Sequence, residues 1–194
     1  LVLFANLSFA NTIIVGRNQL ITSLQKAVAL TNHGDTILLQ NGIYKEGNII
    51  INKSIYLIRV DEPVLDGDNQ YEILSLRGER ICVRGIHFKN SGYSGIHDFA
   101  SIGVINSKYC IIENNFIEHY YFGIHVDNST NCIITGNTIK GTPKTEQGSG
   151  NAINLWHCDG MLVQNNDVQG HRDGIYFEFV THSYIMQNKS HDNI

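Results

Sequence analysis

A repeating phrase in the chain constrains its fold more than any other sequence feature. Short apolar segments begin at residues 81, 110, 132, 161 and 183, so successive segments lie 29, 22, 29 and 22 residues apart. A second series precedes the first by eight residues and keeps the same steps: Ile73, Ile102, Ile124, Ile153 and Ile175. Two series that share one register indicate a structural period.

The content of one period predicts its shape. Each unit holds Val- and Ile-rich segments separated by Asn and Gly, and no apolar pattern of helix length. The chain of 194 residues contains 27 Ile and 21 Asn, a composition typical of short strands joined by turns that tolerate left-handed backbone. We therefore predict an all-β fold, a single-stranded parallel β-helix whose coils stack about 4.8 Å apart.

Stacked coils place equivalent residues in columns. The two predicted inward columns are the Ile73 series and the series Val83, Ile112, Ile134, Val163 and Ile185, while Asn115, Asn137, Asn166 and Asn188 form a predicted corner ladder. The longer steps carry seven extra residues within 91–101 and 141–150, which predicts two loops on one edge. Cys110 and Cys132 share a column, and parallel side chains there favour stacked core thiols over a disulfide.

The two ends of the chain suggest a processed, partial protein. Residues 1–10 are apolar, uncharged and end in Ser-Phe-Ala, which indicates the remnant of a secretory signal peptide and an exported, periplasmic protein. Residues 11–194 are the predicted β-helix domain. A capping-box pattern at 22–25 predicts a short helix with Leu24, Ala27 and Val28 on its buried face, and we expect this helix to cap the first coil. Residues 35–39 are expected to form the first strand. Since Ile194 stops in mid-coil, we expect further C-terminal coils to be missing.

Composition excludes several classes of function. The formal net charge is −4 and only 16% of residues are charged, so no basic surface for nucleic acid or anionic lipid is expected. The hydrophobic fraction of 42% is too high for a disordered chain. After residue 10 no apolar run approaches the ~18 residues of a transmembrane helix. We predict no nucleic-acid partner and no transmembrane segment.

One outward column offers the residues of a carbohydrate site. Asp127, Trp156 and Glu178 occupy equivalent positions on three successive coils. The two acids would lie about 10 Å apart, at or beyond the upper limit for an inverting glycosidase pair. Trp156 between them could stack on a sugar ring, although a lone exposed Trp is more often a simple packing contact. We assign no catalytic residue from this column.

Histidines gather near the edge that carries the two loops. His97 lies in the first loop, and His119 and His171 precede the same strand on coils two apart. They are the candidate metal ligands, although about 10 Å separates His119 from His171 along the axis. Ordinary solvated turn residues would give the same pattern.

Three stretches resemble the NosD family of periplasmic accessory proteins. The most specific is 170–179, GHRDGIYFEF; the others are 148–153 with Trp156, and 35–37 with 42–47. The similarity runs from about Asn11 to Ile194. It implies a right-handed β-helix of the pectin-lyase-like class. It also implies that the protein works with an ATP-binding-cassette ATPase and permease, and with nitrous oxide reductase or a copper chaperone, in assembling a copper–sulfur centre.

The resemblance favours a protein that is not an enzyme. Copper is the only cofactor it implies, and it supplies no ligand motif that matches here. The docking or metal-handling surface would comprise His119, Trp156, His171, Arg172, Asp173, Tyr176 and Glu178. The alternative is a carbohydrate-active β-helix, either an enzyme or a sugar-binding module, that uses Asp127, Trp156 and Glu178. A purely structural repeat protein is the third hypothesis.

Overall fold

The computed structural model describes residues 10–94, 97–142 and 150–194, and these form a parallel β-helix. Its elements in chain order are β1 (Thr12–Val15), α1 (Leu24–Leu30), β2 (Thr36–Leu39), β3 (Gly42–Tyr44), β4 (Ile49–Ile51), β5 (Tyr56–Arg59), β6 (Pro63–Asp66), β7 (Leu74–Leu76), β8 (Cys82–Arg84), β9 (His87–Lys89), β10 (Ala100–Ile105), β11 (Ile111–Glu113), β12 (Phe116–Glu118), β13 (Phe122–Asp127), β14 (Ile133–Thr135), β15 (Thr138–Lys140), β16 (Asn151–Trp156), β17 (Leu162–Gln164), β18 (Asp167–Gln169), β19 (Asp173–Glu178), β20 (Tyr184–Met186) and β21 (Lys189–His191).

The strands form three sheets in which every pairing is parallel. Their orders are β1-β2-β5-β8-β11-β14-β17-β20, β3-β6-β9-β12-β15-β18-β21 and β4-β7-β10-β13-β16-β19. Each complete coil therefore gives one strand to the eight-stranded sheet, then one to the seven-stranded sheet, then one to the six-stranded sheet. Pairing of Ile111 with Cys82 and with Ile133 shows the steps of 29 and 22 residues. The predicted period is confirmed.

The columns of the core follow the predicted register with one exception. Val83, Ile112, Ile134, Val163 and Ile185 stack in the eight-stranded sheet as expected. In the six-stranded sheet, however, Ile102 pairs with Leu74 and not with Ile73. The placement of Ile73 in this column was wrong by one residue. Strand β7 begins at Leu74, and Ile73 is buried just outside it.

The Asn ladder at one corner is confirmed. Nδ2 of Asn115 donates to Oδ1 of Asn137 at 3.0 Å, and the next two rungs, to Asn166 and Asn188, measure 3.0 and 2.9 Å. Each carbonyl oxygen also accepts a backbone N–H, as Asn137 does from the amide of Asn115. The left-handed backbone at this corner belongs to the preceding residue, for example Asn114 with φ 53°. The ladder thus satisfies polar groups inside a tightly turned coil.

The start of the chain differs in two ways from the prediction. β1 precedes α1 and pairs with β2, so the first strand is not the one at 35–39. The helix buries Leu24, Ala27 and Val28 as predicted, but its N-cap is Ser23, whose hydroxyl accepts the amide of Lys26. Instead of a box closed by Gln25, the carboxylate of Glu46 on the first coil accepts the amides of Leu24 and Gln25. Glu46, which is distant in the sequence, therefore completes the N-terminal cap that Ser23 begins.

All four cysteines are free and buried. The backbone amide of Cys110 lies 3.4 Å from the sulfur of Cys132 on the adjacent coil, which confirms the stacked thiols. Burial raises the pKa of the Cys82 thiol to about 11. Buried, protonated thiols of this kind act as small apolar side chains.

The two inserted segments both leave the coil between the seven-stranded and six-stranded sheets. The connection from β9 to β10 and that from β15 to β16 are long, whereas those from β12 to β13 and from β18 to β19 are short. Parts of both insertions, 95–96 and 143–149, fall outside the described residues, as does the predicted signal remnant up to residue 9. Within the described ranges, no helix is long and apolar enough to cross a membrane.

Candidate functional site

A groove of about 600 Å³ lies on the outer face of the six-stranded sheet. Side chains alternate along a strand, so β13 and β16 bury Ile124 and Ile153, β19 packs the partly buried Ile175 against the core, and their neighbours point outward. The first inserted loop borders this face and contributes Asp98. The groove therefore arises where the regular coil face meets an irregular loop.

The predicted column of Asp127, Trp156 and Glu178 lines this groove. Asp127 pairs with Trp156 and Trp156 pairs with Glu178 across adjacent strands, which confirms the register. Each carboxylate is oriented by one hydrogen bond. Asn128 Nδ2 donates to Asp127 at 3.0 Å, and Tyr176 Oη donates to Glu178 Oε2 at 2.8 Å. The bond to Glu178 raises the pKa of the Tyr176 hydroxyl.

Trp156 belongs to an aromatic cluster that the sequence pattern did not reveal. Its side chain is 36% exposed and meets the rings of His157 and Phe179 edge-on, at 5.0 and 5.3 Å between centroids. His157 and Phe179 stack on each other at 4.7 Å, with their planes 11° apart. Both residues have left-handed φ, at the turn that holds Asn106 and Asn128 on earlier coils. In the sequence, the only signal of this cluster is that aromatic residues occupy turn positions that hold Asn on earlier coils.

Arg172 also lines this groove, and it is paired with Asp173. Arg172 Nε lies 3.0 Å from Asp173 Oδ2, and one Nη donates to the side chain of Asn151 at 3.3 Å. Arg172 lines the groove together with Tyr176 and Glu178. The structure thus brings together Trp156, Arg172, Tyr176 and Glu178, four of the seven residues in the predicted surface, with Asp173 bound to Arg172.

His171 does not belong to that surface. Its side chain is only 2% exposed, beneath the corner, with Nε2 2.7 Å from the hydroxyl of Tyr120 and 3.4 Å from the carbonyl of Ile139. Gly141 leaves room for the ring, since a Cβ there would come within 2.8 Å of it. Burial lowers the pKa of His171 to about 4. Its prediction as a surface residue was wrong because the corner turns it inward.

His119 is exposed, but it is not the counterpart of His171. The pairing of Ile124 with Ile153, and of Ile153 with Ile175, aligns Tyr120 with His171 and His119 with Gly170. His119 Nδ1 lies 3.5 Å from the Thr142 hydroxyl, away from the groove residues. Both histidines precede equivalent strands on coils two apart, as predicted, but they occupy neighbouring positions of the corner.

The three candidate metal ligands serve different local contacts. His97 stacks on Phe99 at 6.0 Å, His119 contacts Thr142, and His171 is buried against Tyr120. In the parts of the chain that the structure describes, no group of three or more His, Cys, Asp or Glu is arranged to hold a metal ion. These histidines therefore do not fit the copper ion that the family resemblance implies.

A second part of the groove, about 500 Å³ in volume, contains a residue that sequence reasoning missed. It continues past Asp98 and His125, which line both parts, to Glu72, Ser75 and Arg77. Burial raises the pKa of Glu72. The carboxyl group accepts the Ser75 hydroxyl and the backbone amide of Ala100. No repeat marks Glu72, because the residue in register on the next coil is Ala100.

Solved structures with the same fold include two polysaccharide lyases and a pectin methylesterase. Pectate lyase Pel9A superposes with a TM-score of 0.70 over 94% of this chain and 55% of its own, at 17% identity. An alginate lyase from Paenibacillus sp. str. FPU-7 gives 0.61 over 94% and 77%, at 16% identity. A pectin methylesterase mutant in complex with a hexasaccharide gives 0.60 over 86% and 56%, at 13% identity. This chain spans about half the length of the first and last of these.

These structures correct the expectation that the protein is not an enzyme. Two of the solved proteins that share its fold are lyases and one is a pectin methylesterase, so the fold does not support that expectation. At identities of 13–17% the likeness itself shows the fold alone. No curated protein matches the sequence, so no named homologue supports the NosD assignment.

A family described as "Right handed beta helix region" matches residues 96–194, slightly more than half of the chain. The match covers the coils that carry the groove, from the first inserted loop to the last strands. Together with three parallel sheets wound from successive coils, it shows that this chain belongs to the right-handed β-helix family.

Proposed function

We propose that this protein is carbohydrate-active and holds a polysaccharide along the outer face of its six-stranded sheet. One observation carries the proposal: the groove places the exposed ring of Trp156 between two oriented carboxylates, Asp127 and Glu178. An aromatic face and hydrogen-bonding groups set in a concave surface are what a sugar ring needs for binding. The fold shared with polysaccharide-active proteins supports the same assignment.

The spacing of the two carboxylates suits binding better than cleavage. Asp127 and Glu178 lie on strands separated by one other, so their backbones are about 10 Å apart. Inverting glycosidases hold their two carboxyl groups ~6.5–9.5 Å apart, and retaining enzymes hold them closer. We therefore assign Asp127, Trp156 and Glu178 to a sugar-binding subsite, with the carboxylates accepting hydroxyl hydrogens.

The charges of the groove favour an uncharged glycan. Asp98, Asp127 and Glu178 contribute three carboxylates, whereas the guanidinium of Arg172 is already bound to Asp173. A polyuronate chain carries one carboxylate on each sugar, and like charges at short range are unfavourable. A neutral polysaccharide avoids this repulsion, so we propose it as the ligand class.

Binding tests the proposal directly. In affinity electrophoresis, we expect neutral polysaccharides such as xylan or glucomannan to retard the purified chain, and polygalacturonate and alginate to retard it less. Replacement of Trp156 by Ala removes the stacking surface and should weaken retention about tenfold, which corresponds to ~1.4 kcal/mol. The matched control is Tyr56→Ala, an exposed aromatic residue on the eight-stranded sheet, which should leave binding unchanged.

Two outcomes would contradict this assignment. Absence of binding to every glycan tested would remove the carbohydrate function. Equal loss of binding in the Trp156 and Tyr56 variants would place the glycan elsewhere.

The competing hypothesis of copper-centre maturation predicts no glycan binding. It also predicts that a deletion strain contains copper-deficient nitrous oxide reductase. Export to the periplasm is part of our proposal and is supported by the signal-like residues 1–10.

A further inference from the structure

Glu72 occupies an unusual place in the groove. Its carboxyl group lies over the Cα of Gly103, where a Cβ would come within 3.0 Å of Oε1. The Ser75 hydroxyl and the backbone amide of Ala100 donate to it, so its position is held from two sides. The glycine at position 103 leaves room for the carboxyl group there, because a methyl group would crowd it. The fold therefore places an acid, half-buried, on the floor of the groove.

The neighbours of Glu72 suit proton transfer. His125 follows Gly103 in the same outward column, and its buried Nδ1 has no hydrogen-bond partner among the described residues. Arg77 and His97 line the same part of the groove, and Asp98 borders both parts. A carboxyl group in a cleft beside unpaired polar groups is a common arrangement for an acid catalyst.

We propose that Glu72 is the proton donor of a glycoside-hydrolysing centre in this second part of the groove. The inference rests on the proposed carbohydrate function. Trp156 lies on β16, two strands beyond Gly103 on β10, so the stacked sugar would lie about 10 Å further along the axis. A glycan lying along the sheet would then reach both the Trp156 subsite and Glu72. Burial raises the pKa of Glu72, which keeps the acid protonated to a higher pH.

The proposed step is a hydrolysis in which Asp98 is the base. The carboxyl group of Glu72 gives its proton to the bridging oxygen, and the bond between that oxygen and the anomeric carbon breaks. The oxygen of a water molecule bonds to the anomeric carbon, and the released proton passes to the carboxylate of Asp98. Exchange with solvent then returns the proton to Glu72. The products are two saturated sugar chains, one with a new reducing end.

Glu72→Gln tests the proton donor because the amide keeps the size of the side chain. Release of reducing ends from the bound neutral polysaccharide should fall at least 100-fold, while retention of the protein on that polysaccharide stays unchanged. Activity on the 2,4-dinitrophenyl glycoside of the released sugar should persist, since this leaving group needs no proton. The matched control is Glu79→Gln, an exposed acid paired with Arg80, which should behave as the wild type.

A second variant tests the same site without removing the acid. In Gly103→Ala the new methyl group crowds the Glu72 carboxyl group, which must shift out of its position, and this should lower hydrolysis while glycan binding remains. This variant decides the question if the Gln variant fails to fold.

The outcomes separate the two proposals. If the wild-type protein binds glycan but releases no reducing ends, the role of Glu72 is overturned and the proposed function stands. A Glu72→Gln variant with activity within threefold of the wild type has the same consequence. Unsaturated products would show an elimination and would likewise overturn the hydrolytic step. Failure of the wild type to bind any glycan overturns the proposed function itself.

Discussion

At the scale of single residues, one turn decides whether a histidine faces solvent or the interior. His119 and His171 both precede equivalent strands, but the coil register aligns His171 with Tyr120 and not with His119. The His171 ring packs on Tyr120 with 5.3 Å between centroids, and burial raises the pKa of the Tyr120 hydroxyl well above its usual value. A one-residue shift at a corner reverses which side chain enters the core, and sequence spacing alone does not resolve such a shift.

The buried His171 should make the protein less stable in acid. Its folded-state pKa is about 4, below the ordinary 6.5 that applies once the chain unfolds. Between these values the unfolded chain binds a proton that the native state does not. Stability is therefore complete above pH 6.5 and should fall by ~3 kcal/mol as the pH drops to 4. Urea unfolding at pH 7, 5.5 and 4 measures this change.

The control variants for this prediction are His171→Phe and His119→Gln. Phe at position 171 should remove most of this acid-dependent loss, whatever its effect at pH 7. The His119 side chain is exposed, and we expect its variant to show the same change of unfolding free energy with pH as the wild type. A His171→Phe protein with an unaltered slope would show that another group causes the acid sensitivity.

At the scale of elements, helix α1 is stabilised by the coil beneath it. Glu46 accepts the amides of Leu24 and Gln25 and the Ser23 hydroxyl, each at 2.9 Å. At the other end, Lys53 Nζ donates to three carbonyls, the shortest at 2.6 Å to Thr31. An acid at the N-terminus and a base at the C-terminus complement the helix dipole. A helix of seven residues is too short to be stable alone.

Removal of either charged residue should therefore destabilise the N-terminal cap. Glu46→Ala leaves two helix amides without their partner, and we expect a loss of about 1–2 kcal/mol in the free energy of unfolding. Lys53→Met should cost about 1 kcal/mol by the same reasoning. Denaturant unfolding followed by circular dichroism measures both. The exposed Glu62→Ala serves as control, and a loss from Glu46→Ala no larger than from Glu62→Ala would refute this role.

At the scale of the whole molecule, the coils are joined along the axis by the Asn ladder as well as by the apolar columns. Asn137 is only 1% exposed and binds both neighbours, accepting from Asn115 and donating to Asn166 at 3.0 Å each. Its amide also donates to the carbonyl of Ile112 at 3.0 Å. In a repeat protein each coil is stabilised chiefly by its neighbours, so a central rung affects more of the structure than a terminal one.

Substitutions along the ladder should lower the stability more at a central rung than at a terminal one. Asn137→Ala leaves buried polar groups of the coils on both sides without hydrogen-bond partners, and we expect the free energy of unfolding to fall by about 2–4 kcal/mol. Asn188→Ala makes the same change on the last described coil, where the side chain is half-buried, and should cost about 1 kcal/mol. Chemical denaturation of the two variants compares them. Equal losses would argue against coupling between coils through the ladder.

The sequence by itself determined the coil, the period, the apolar columns and the Asn ladder, because strand alternation and turn preferences repeat in every unit. It also placed Asp127, Trp156 and Glu178 in one outward column, since pairing register follows from the period. Only the tertiary structure decided which corner residues turn inward, which distant acid caps the helix, and that Glu72 lies over Gly103. These depend on contacts between residues far apart in the chain, at loops and first turns where the repeat is broken, so no periodic signal predicts them.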